Sequence, residues 1–345
     1  MKAIRIHEHG SFDKLRYEDT PEPELSSSSD VIVKLRAASL NRADIWVRRG
    51  PSGDGVKFPH ILGADGAGVV VEVGEQITNT NPGDAVCLYP GIGCGRCEYC
   101  MTERELMCGQ LRVIGQREDG TYAEYIRVPA RNCFPIPACL SFEEAAALPL
   151  AYISAWRMLV TNAELKPGEH VLIRDIGGGV AAASLQLAVH LGTHVIVTSG
   201  DDDKLAKAKT LGAEHAINDE RSDFAKEVRQ FTGKRGVDVV VDCVGGDGWS
   251  KSLASLAKGG RLVTCGATAG ANPQTDVRRI FWNDLNIFGS TLGDRQEFRQ
   301  VLNFMETSRA KPVIDRVFPL KDAATAQRCM EDGRHFGKIV LTIEE

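Results

Sequence analysis

Four cysteines at short, regular spacing carry the most specific chemistry in this sequence. Cys94, Cys97, Cys100 and Cys108 lie in one loop, separated by two, two and seven residues. Four thiolates at such spacing can complete a tetrahedral zinc shell, which has no open coordination position and therefore a structural role. An iron–sulfur cluster and redox-active thiols are the alternatives, but the bacterial cluster motif has a shorter final spacing followed by proline. We therefore predict one structural Zn²⁺ per chain.

A glycine-rich turn is the second candidate site. Gly177, Gly178 and Gly179 follow a short apolar run at 171–173, and a helical pattern begins at Val180. A helix N-terminus preceded by glycines can bind a pyrophosphate, because backbone N–H groups point at the anion and glycine allows a close approach. The match to G-x-G-x-x-G/A is partial, since only the middle glycine and the alanine after Val180 fit. The strand–helix context favours a dinucleotide site, and a tight turn without a ligand is the alternative.

The end of the next strand bears on which dinucleotide binds. NAD sites usually place an acidic residue there, whereas this chain has Ser199, with Lys204 nearby. A small hydroxyl and a cation suit a 2′-phosphate, so we predict NADP(H) rather than NAD(H). Three carboxylates follow the strand and would repel the 2′-phosphate if they faced it, which would argue against NADP(H): those of Asp201, Asp202 and Asp203. The other interpretation is that they complement the dipole at a solvated helix N-terminus.

Three stretches of chain must position these residues. Residues 1–150 are rich in strands and Gly–Pro turns, residues 151–290 alternate strands with helices, and residues 291–345 hold two helices and a strand. The alternation predicts a doubly wound parallel sheet, because continuous Val and Ile runs fit strands buried on both faces. Ligands bind at the carboxyl ends of such strands. This rule adds as cofactor-binding candidates Val244, Gly266, Ala267 and Ser290.

Composition excludes several classes of protein. The 345 residues include 41 basic and 46 acidic side chains, a net charge of −5 that argues against a nucleic-acid partner. No apolar run is long enough for a membrane span, and the N-terminus alternates like a strand without an apolar signal core. We therefore expect a cytoplasmic protein. The remaining cysteines are isolated in the sequence and are expected to be unreactive small side chains: Cys87, Cys133, Cys139, Cys243, Cys265 and Cys329.

Together these features resemble the medium-chain dehydrogenase/reductase superfamily over essentially the whole chain. The segments 63–69 (GADGAGV), 211–213 (LGA) and 236–242 (GVDVVVD) carry the resemblance. It implies an α/β fold, with a GroES-like β-rich catalytic domain formed by residues 1–150 and 291–345 and a Rossmann domain at 151–290. It also implies a homodimer or homotetramer, in which the strand at 285–288 pairs edge to edge between copies.

The departures from the zinc alcohol dehydrogenases of that family concern the catalytic metal. By the resemblance, Asn41 stands at the first cysteine ligand, Ala64 at the histidine and Leu150 near the third ligand, while Ala43 replaces the proton-relaying Ser or Thr. Without a Lewis acid, alcohol oxidation loses its usual chemistry. The segment 40–44 (LNRAD) is similar to the quinone oxidoreductase branch, which transfers hydride from NADPH without metal. Most members of that branch lack a four-cysteine lobe, so the chain resembles a mixed type.

Five residues are expected at the reacting centre or beside the cofactor. Asn41 either donates a hydrogen bond to the substrate or nicotinamide amide, or caps a loop. Asp44 either orients the site or caps a helix, and Trp46 either lines the substrate site or belongs to the core. Asp65 either positions water or a side chain, or is a turn carboxylate. The resemblance places Lys338, in a C-terminal Gly–Lys phrase, beside the cofactor, with a surface lysine as the alternative.

The function that fits these expectations is NADPH-dependent reduction of a small molecule, a quinone or α,β-unsaturated carbonyl, without catalytic zinc. Conjugated acceptors suit a metal-free site, because the negative charge that follows hydride addition delocalises onto an oxygen that a hydrogen-bond donor can stabilise. Two alternatives stay open. One is an alcohol or aldehyde dehydrogenase with an unusual metal or none. The other is a catalytically silent NADP(H)-binding sensor, which the imperfect glycine turn favours.

Overall fold

The chain forms two compact units. A computed structural model describes residues 1–50 and 55–344. The β-rich unit comprises Met1–Ile153 and Asp294–Glu345, and the parallel-sheet unit comprises Ser154–Gly293. The sequence prediction set these boundaries at residues 150 and 290. In the described part of the chain, no helix has both the length and the apolar character that crossing a bilayer requires.

The first part of the β-rich unit is built mainly from short strands joined by turns. Its strands are β1 (Lys2–Ile6), β2 (Arg16–Asp19), β3 (Asp30–Ser39), β4 (His60–Ile61), β5 (Asp65–Val73), β6 (Ala85–Leu88), β7 (Gly91–Ile92), β8 (Arg112–Val113), β9 (Tyr125–Pro129) and β10 (Cys133–Pro135). Its helices are α1 (Arg42–Arg49), α2 (Glu98–Met101), α3 (Phe142–Ala146) and α4 (Pro149–Trp156), the last of which runs into the next unit.

The parallel-sheet unit alternates strands and helices, as predicted. Its strands are β11 (His170–Ile173), β12 (His194–Ser199), β13 (His215–Asn218), β14 (Val237–Val241), β15 (Leu256–Thr264) and β16 (Asn286–Gly289). Its helices are α5 (Gly179–His190), α6 (Asp202–Thr210), α7 (Phe224–Phe231), α8 (Trp249–Ser255) and α9 (Val277–Trp282). The chain then returns to the β-rich unit with α10 (Arg295–Ser308), β17 (Ile314–Pro319), α11 (Ala323–Glu331) and β18 (Lys338–Thr342).

The parallel sheet confirms the predicted doubly wound fold. Its strand order is β13-β12-β11-β14-β15-β16, and each neighbouring pair is parallel. In order of occurrence this is 3-2-1-4-5-6, the dinucleotide-binding arrangement in which the crevice for the ligand lies where the order reverses, between β11 and β14. The Val-rich strands are buried on both faces, as their continuous apolar runs predicted: Leu172, Ile196 and Val240 are all fully buried.

One predicted helix ends earlier than its sequence pattern suggested. The pattern predicts a helix over 251–258, whereas α8 ends at Ser255 and β15 begins at Leu256. Leu256 pairs with Val237 of β14, and the register shifts before the pairing resumes at Arg261. Leu256 and Ala257, the first two residues of β15, are buried and apolar, so they also fit the apolar face of a helix. The pairing with β14 is what places them in a strand.

In the β-rich unit, strand pairing brings distant residues together. Its largest sheet has the order β10-β6-β5-β3-β18-β17, with β9 also paired to β3. Ser39 at the end of β3 is opposite Asp65 at the start of β5. On its other side, Ser39 is opposite Val340 of β18. The beginnings of β5 and β18 therefore meet at the end of β3, where Asn41 leads into α1.

Candidate functional site

A buried polar cluster in the β-rich unit joins three of the predicted residues. The Lys338 ammonium lies 2.9 Å from Asp65 Oδ2 and 2.7 Å from Asn41 Oδ1. Asn41 Nδ2 donates to the same Asp65 oxygen at 2.9 Å. The side chains of Asp65 and Lys338 are 0% and 2% exposed, and Asn41 is also buried. A buried ion pair requires further hydrogen bonds to offset desolvation, and the amide supplies one to each partner.

Backbone groups complete this cluster. Lys338 Nζ also donates to the carbonyl of Leu40 at 2.9 Å, so each of its three N–H groups has an acceptor. Asp65 Oδ1 accepts from the backbone N–H of Leu150 at 2.9 Å, and Ser39 Oγ donates to Asp65 Oδ2 at 3.2 Å. The structure thus places Lys338 with Asn41 and Asp65, a grouping that the sequence did not reveal. Its predicted contact with the cofactor stays a prediction.

Asp44 lies beside the cluster and caps α1. Its Oδ2 accepts from the backbone N–H of Asn41 and from the Tyr122 hydroxyl, both at 2.8 Å. Asp44 and Tyr122 are buried, and burial raises the pKa of Asp44 to about 7. The nearby Asp65 carboxylate contributes to this raised pKa, while the two hydrogen bonds and Lys338 act in the opposite direction. The structure therefore shows the capping role that the sequence left as an alternative.

The raised pKa of Asp44 gives an expected dependence of stability on pH. Its pKa is near 3.9 in the unfolded chain, so the folded state binds the extra proton between about pH 4 and 7. Folding stability therefore falls as pH rises through this window, by at most about 1.4 kcal/mol per pH unit. Asp44→Asn keeps the acceptor oxygen but cannot ionise. Urea unfolding at pH 5 and pH 8 should show a smaller loss of stability in Asp44→Asn than in the wild type, and equal losses would contradict this assignment.

Trp46 is the predicted catalytic residue that lies neither in this cluster nor among its capping contacts. It lies on α1 and is 37% exposed, so it is not the core aromatic that the sequence left as an alternative. Its predicted role in lining the substrate site stays a prediction.

The four-cysteine loop has the geometry of a metal site. The Sγ atoms of Cys94, Cys97, Cys100 and Cys108 all lie within 4.8 Å of one another. Within residues 1–50 and 55–344, no other group of three or more His, Cys, Asp or Glu side chains could hold a metal ion. The predicted cluster is confirmed, and its all-sulfur donor set suits zinc in a structural role.

The backbone around this loop supports charged sulfur. N–H groups of Arg96 and Cys97 lower the pKa of Cys94 to about 6. A Cβ atom on Gly93 would lie only 2.6 Å from Cys100 Sγ, so glycine allows that sulfur to enter the cluster. The residues present therefore fit a Zn²⁺ ion, which would hold the lobe together without taking part in catalysis.

The glycine turn precedes helix α5, as predicted. Gly177 has a φ of 146°, and Gly178 is the N-cap of α5, with no side chain capping the helix. A Cβ atom on Gly178 would meet no atom within 4 Å. Gly179 and Val180 then form the first turn of the helix, and the free N–H groups of a helix N-terminus are the groups that bind a pyrophosphate.

The two residues predicted to select the cofactor lie at the end of β12, which is Ser199, and in the following helix α6, which contains Lys204. A Cβ atom on Gly177 would lie 3.1 Å from Lys204 Nζ, so the lysine ammonium is close to the glycine turn. Ser199 is buried and accepts a hydrogen bond from the backbone N–H of Asp201. The Asp201 carboxylate in turn caps α6 through the N–H groups of Asp203 and Lys204.

Other carboxylates at this strand end have separate roles. Asp202 is paired with Arg221 at 2.8 Å and accepts from Asn218. The Glu220 carboxylate lies close enough to Gly200 that a Cβ atom there would meet it at 2.6 Å. Helix capping and ion pairing therefore account for Asp201 and Asp202, whereas Glu220, which the sequence reasoning missed, adds a negative charge at this strand end.

The later strand ends also carry the predicted cofactor residues. Val244 follows β14, Gly266 and Ala267 follow β15, and Ser290 follows β16. The Ser290 hydroxyl is buried and has no hydrogen-bond partner in the described part of the chain. An unpaired buried hydroxyl at the carboxyl end of a parallel strand fits a polar ligand such as a dinucleotide. Asp242 anchors the turn after β14, because its Oδ1 accepts from the N–H groups of Val244 and Gly245.

Two of the cysteines that are isolated in the sequence are in contact in the structure. The Sγ atoms of Cys243 and Cys265 are 3.2 Å apart, and the prediction that these side chains are unreactive stays a prediction. The cysteines are 22 residues apart in sequence, and only the parallel pairing of β14 with β15 places them side by side.

Comparisons with known proteins identify two family domains in this chain. Residues 27–138 match the alcohol dehydrogenase GroES-like domain, and residues 179–307 match the zinc-binding dehydrogenase family. A zinc-type alcohol dehydrogenase-like protein of Schizosaccharomyces pombe is 33% identical, over 100% of this chain and 99% of the relative.

Two further relatives differ in the activity that they are named for. A crystal structure titled as an NAD-dependent alcohol dehydrogenase superposes with a TM-score of 0.96 at 40% identity and covers 100% of both chains. Quinone oxidoreductase of Rattus norvegicus is 26% identical, over 99% of this chain and 98% of the relative.

Proposed function

Since this chain belongs to the medium-chain dehydrogenase/reductase superfamily and is an oxidoreductase, we propose that it reduces a quinone or α,β-unsaturated carbonyl with NADPH and without catalytic zinc. When bound, the nicotinamide supplies the hydride. The residues of the chain bind the cofactor and stabilise the acceptor oxygen. The structural zinc, in the four-cysteine loop, stabilises the lobe around it.

The observation that carries this proposal is the lysine ammonium beside Asn41. Lys338 Nζ is surrounded by oxygens of Leu40, Asn41 and Asp65, so a cation of the protein itself lies beside the residue that stands at the first metal-ligand position. The alanine at position 64 offers no ligand, and the Leu150 N–H donates to Asp65. This set of side chains suits an ammonium ion better than Zn²⁺, which prefers His and Cys.

Asn41 can act on the substrate through one remaining donor. Its amide nitrogen carries two N–H groups, and one of them is bonded to Asp65. The contacts with Asp65 and Lys338 fix the orientation of the amide. We assign the second N–H to the acceptor oxygen, where a preoriented donor stabilises the negative charge that develops as hydride arrives.

For the cofactor we propose NADP(H), held at the glycine turn by α5 and at its 2′-phosphate by Ser199 and Lys204. The position of the Lys204 ammonium beside Gly177 supports this assignment. The Glu220 carboxylate beside Gly200 and the solved relative named for NAD favour the other dinucleotide, so the two cofactors are compared directly.

The Lys204→Ala variant tests the cofactor assignment. Removing the cation should raise the KM for NADPH about tenfold, since a charge-assisted contact contributes about 1.4 kcal/mol or more, and leave the KM for NADH unchanged. Lys209→Ala, at an exposed position of the same helix, is the matched control. Equal changes for both dinucleotides would contradict a phosphate contact.

We also propose a homodimer or homotetramer built on the edge of the parallel sheet. Strand β16 is the last strand of the sheet and leaves one edge open. In α9, the helix that precedes this strand in the chain, Phe281 and Trp282 are 57% and 68% exposed. Pairing of two β16 strands would satisfy the free backbone groups and cover these aromatics.

Metal analysis combined with turnover assays tests the proposed activity. The expected result is one zinc per chain, with NADPH oxidation by a panel of quinones and enones. Two zinc ions per chain with alcohol oxidation would overturn the proposal in favour of an alcohol dehydrogenase, the activity for which two of the relatives are named. Tight NADPH binding with no turnover of any acceptor would instead favour a sensor.

A further inference from the structure

Cys243 and Cys265 form a pair of thiols at one edge of the parallel sheet. In the pairing of β14 with β15, Val241 is opposite Val263. Cys243 and Cys265 each lie two residues beyond this pair, just after the ends of the two strands, and their sulfurs are 3.2 Å apart. Both residues are half-buried. The pair lies at the carboxyl ends of two neighbouring strands, among the turns assigned above to the cofactor.

The backbone spacing at this position suits a disulfide. Neighbouring strands lie about 4.8 Å apart, as β14 and β15 do at their last pair just before the cysteines, and disulfides span Cα separations of about 4.4–6.8 Å. The sulfurs must close from 3.2 Å to about 2.05 Å, a movement of roughly 1 Å. Small rotations of the two side chains can supply most of this movement.

The contact between the two sulfurs makes them chemically unequal. Either thiol can donate in this contact; when the Cys243 thiol donates to the Cys265 sulfur, it lowers the pKa of Cys265. The same contact, together with burial, raises the pKa of Cys243. Since the thiolate is the nucleophile in thiol chemistry, Cys265 is the attacking sulfur and Cys243 the resolving one.

We propose that Cys243 and Cys265 are a reversible redox dithiol, which a hydroperoxide oxidises to an intramolecular disulfide. The Cys265 thiolate attacks one peroxide oxygen, the O–O bond breaks, the alkoxide or hydroxide leaves, and Cys265 becomes a sulfenic acid. The Cys243 sulfur then attacks Cys265, forming the S–S bond and releasing water. Two thiols are oxidised by two electrons, and the hydroperoxide is reduced to an alcohol and water.

This disulfide would also affect the nucleotide, a consequence that rests on the proposed function. Cys243 precedes Val244, and Cys265 precedes Gly266, both assigned to the cofactor. A Cβ atom on Gly266 would lie 3.1 Å from the carbonyl oxygen of Cys243, so the two turns are already close. Because closure of the two sulfurs draws these two turns together, we expect oxidation to distort the nucleotide site and to weaken nucleotide binding.

Peptide mapping of the zinc-loaded full chain tests the dithiol without any nucleotide. After treatment with hydrogen peroxide and alkylation of free thiols, mass spectrometry should find a peptide linking Cys243 to Cys265, and dithiothreitol should remove the link. Cys243→Ser and Cys265→Ser should lack it, and Cys139→Ser should retain it. A zinc-sensitive dye detects zinc released into solution, and release identifies samples in which peroxide oxidised the cysteines of the four-cysteine loop. Alkylation of both thiols in zinc-retaining samples, or sulfinic acid at Cys265 without a link, overturns the proposal.

Nucleotide titration tests the consequence separately. The Kd for NADPH, followed by protein fluorescence, should rise at least about tenfold in the oxidised wild type and return after dithiothreitol. The Kd of Cys243→Ser should not respond to peroxide. An unchanged Kd in linked protein overturns the coupling to the nucleotide. If the reduced protein binds neither NADPH nor NADH, the proposed function fails, whereas the linked peptide still reports on the dithiol.

Discussion

Asp65→Ala is expected to destabilise the β-rich unit by about 3–5 kcal/mol, since it leaves the buried Lys338 ammonium without its anion. Lys338 would retain only the neutral oxygens of Leu40 and Asn41. Lys338→Met should cost less, because Asp65 keeps donors from Asn41, Leu150 and Ser39. The expected loss of stability differs between the two variants because the charge that remains keeps a different set of hydrogen-bond partners in each.

Urea unfolding measures this effect, with the double variant Asp65→Ala/Lys338→Met as the matched control. Removing both charges leaves no unpaired ion, so the double variant should be more stable than Asp65→Ala alone. If Asp65→Ala unfolds at the wild-type urea concentration, or if the double variant loses the sum of the two single changes, the ion pair does not stabilise the unit as described.

Cys100→Ser is expected to abolish zinc binding and unfold the four-cysteine lobe. Cys100 is buried, and its sulfur lies 3.9 Å from that of Cys94, so a serine there removes one of four ligands from the centre of the site. Structural zinc contributes about 10–16 kcal/mol of binding energy in small zinc domains. Between residues 93 and 113, the buried apolar side chains are those of Cys100 and Cys108, so the lobe has little core of its own. The metal content should fall from one zinc per chain to nearly none.

Limited proteolysis reports the state of the lobe in this variant. Cleavage between residues 93 and 113 should be much faster in Cys100→Ser than in the wild type, and equally fast in wild type treated with a chelator. Cys139→Ser, which removes a thiol outside the loop, is the control and should retain zinc. Slow cleavage of the metal-free protein would show that the lobe folds without the ion.

Local patterns in the sequence were enough to predict several parts of the site. The four cysteines at 94–108 act within one loop, so their spacing alone indicates the cluster found in the structure. The alternation of Val-rich runs and helices likewise predicts the parallel sheet, because each βαβ step is local and right-handed crossovers leave few topologies. The glycine turn is also predicted from local sequence, since the strand, the turn and the helix are consecutive in the chain.

Resemblance to a family added what the local patterns lacked. The identification of Asn41, Ala64 and Leu150 with metal-ligand positions came from that resemblance and not from spacing. The resemblance also singled out Lys338 as a residue beside the cofactor, whereas the structure shows its contacts with Asn41 and Asp65.

Only the tertiary structure determined which charges pair and which thiols meet. Lys338 and Asp65 are 273 residues apart, and the register of β3 with β5 and β18 brings them together. Cys243 and Cys265 meet through the register of β14 with β15. Strand register is set by pairing between distant segments, whereas motifs report only on neighbours along the chain. The sequence by itself therefore determined the zinc loop, the parallel sheet and the glycine turn, and the structure decided where the buried lysine lies and that two of the ten cysteines form a pair.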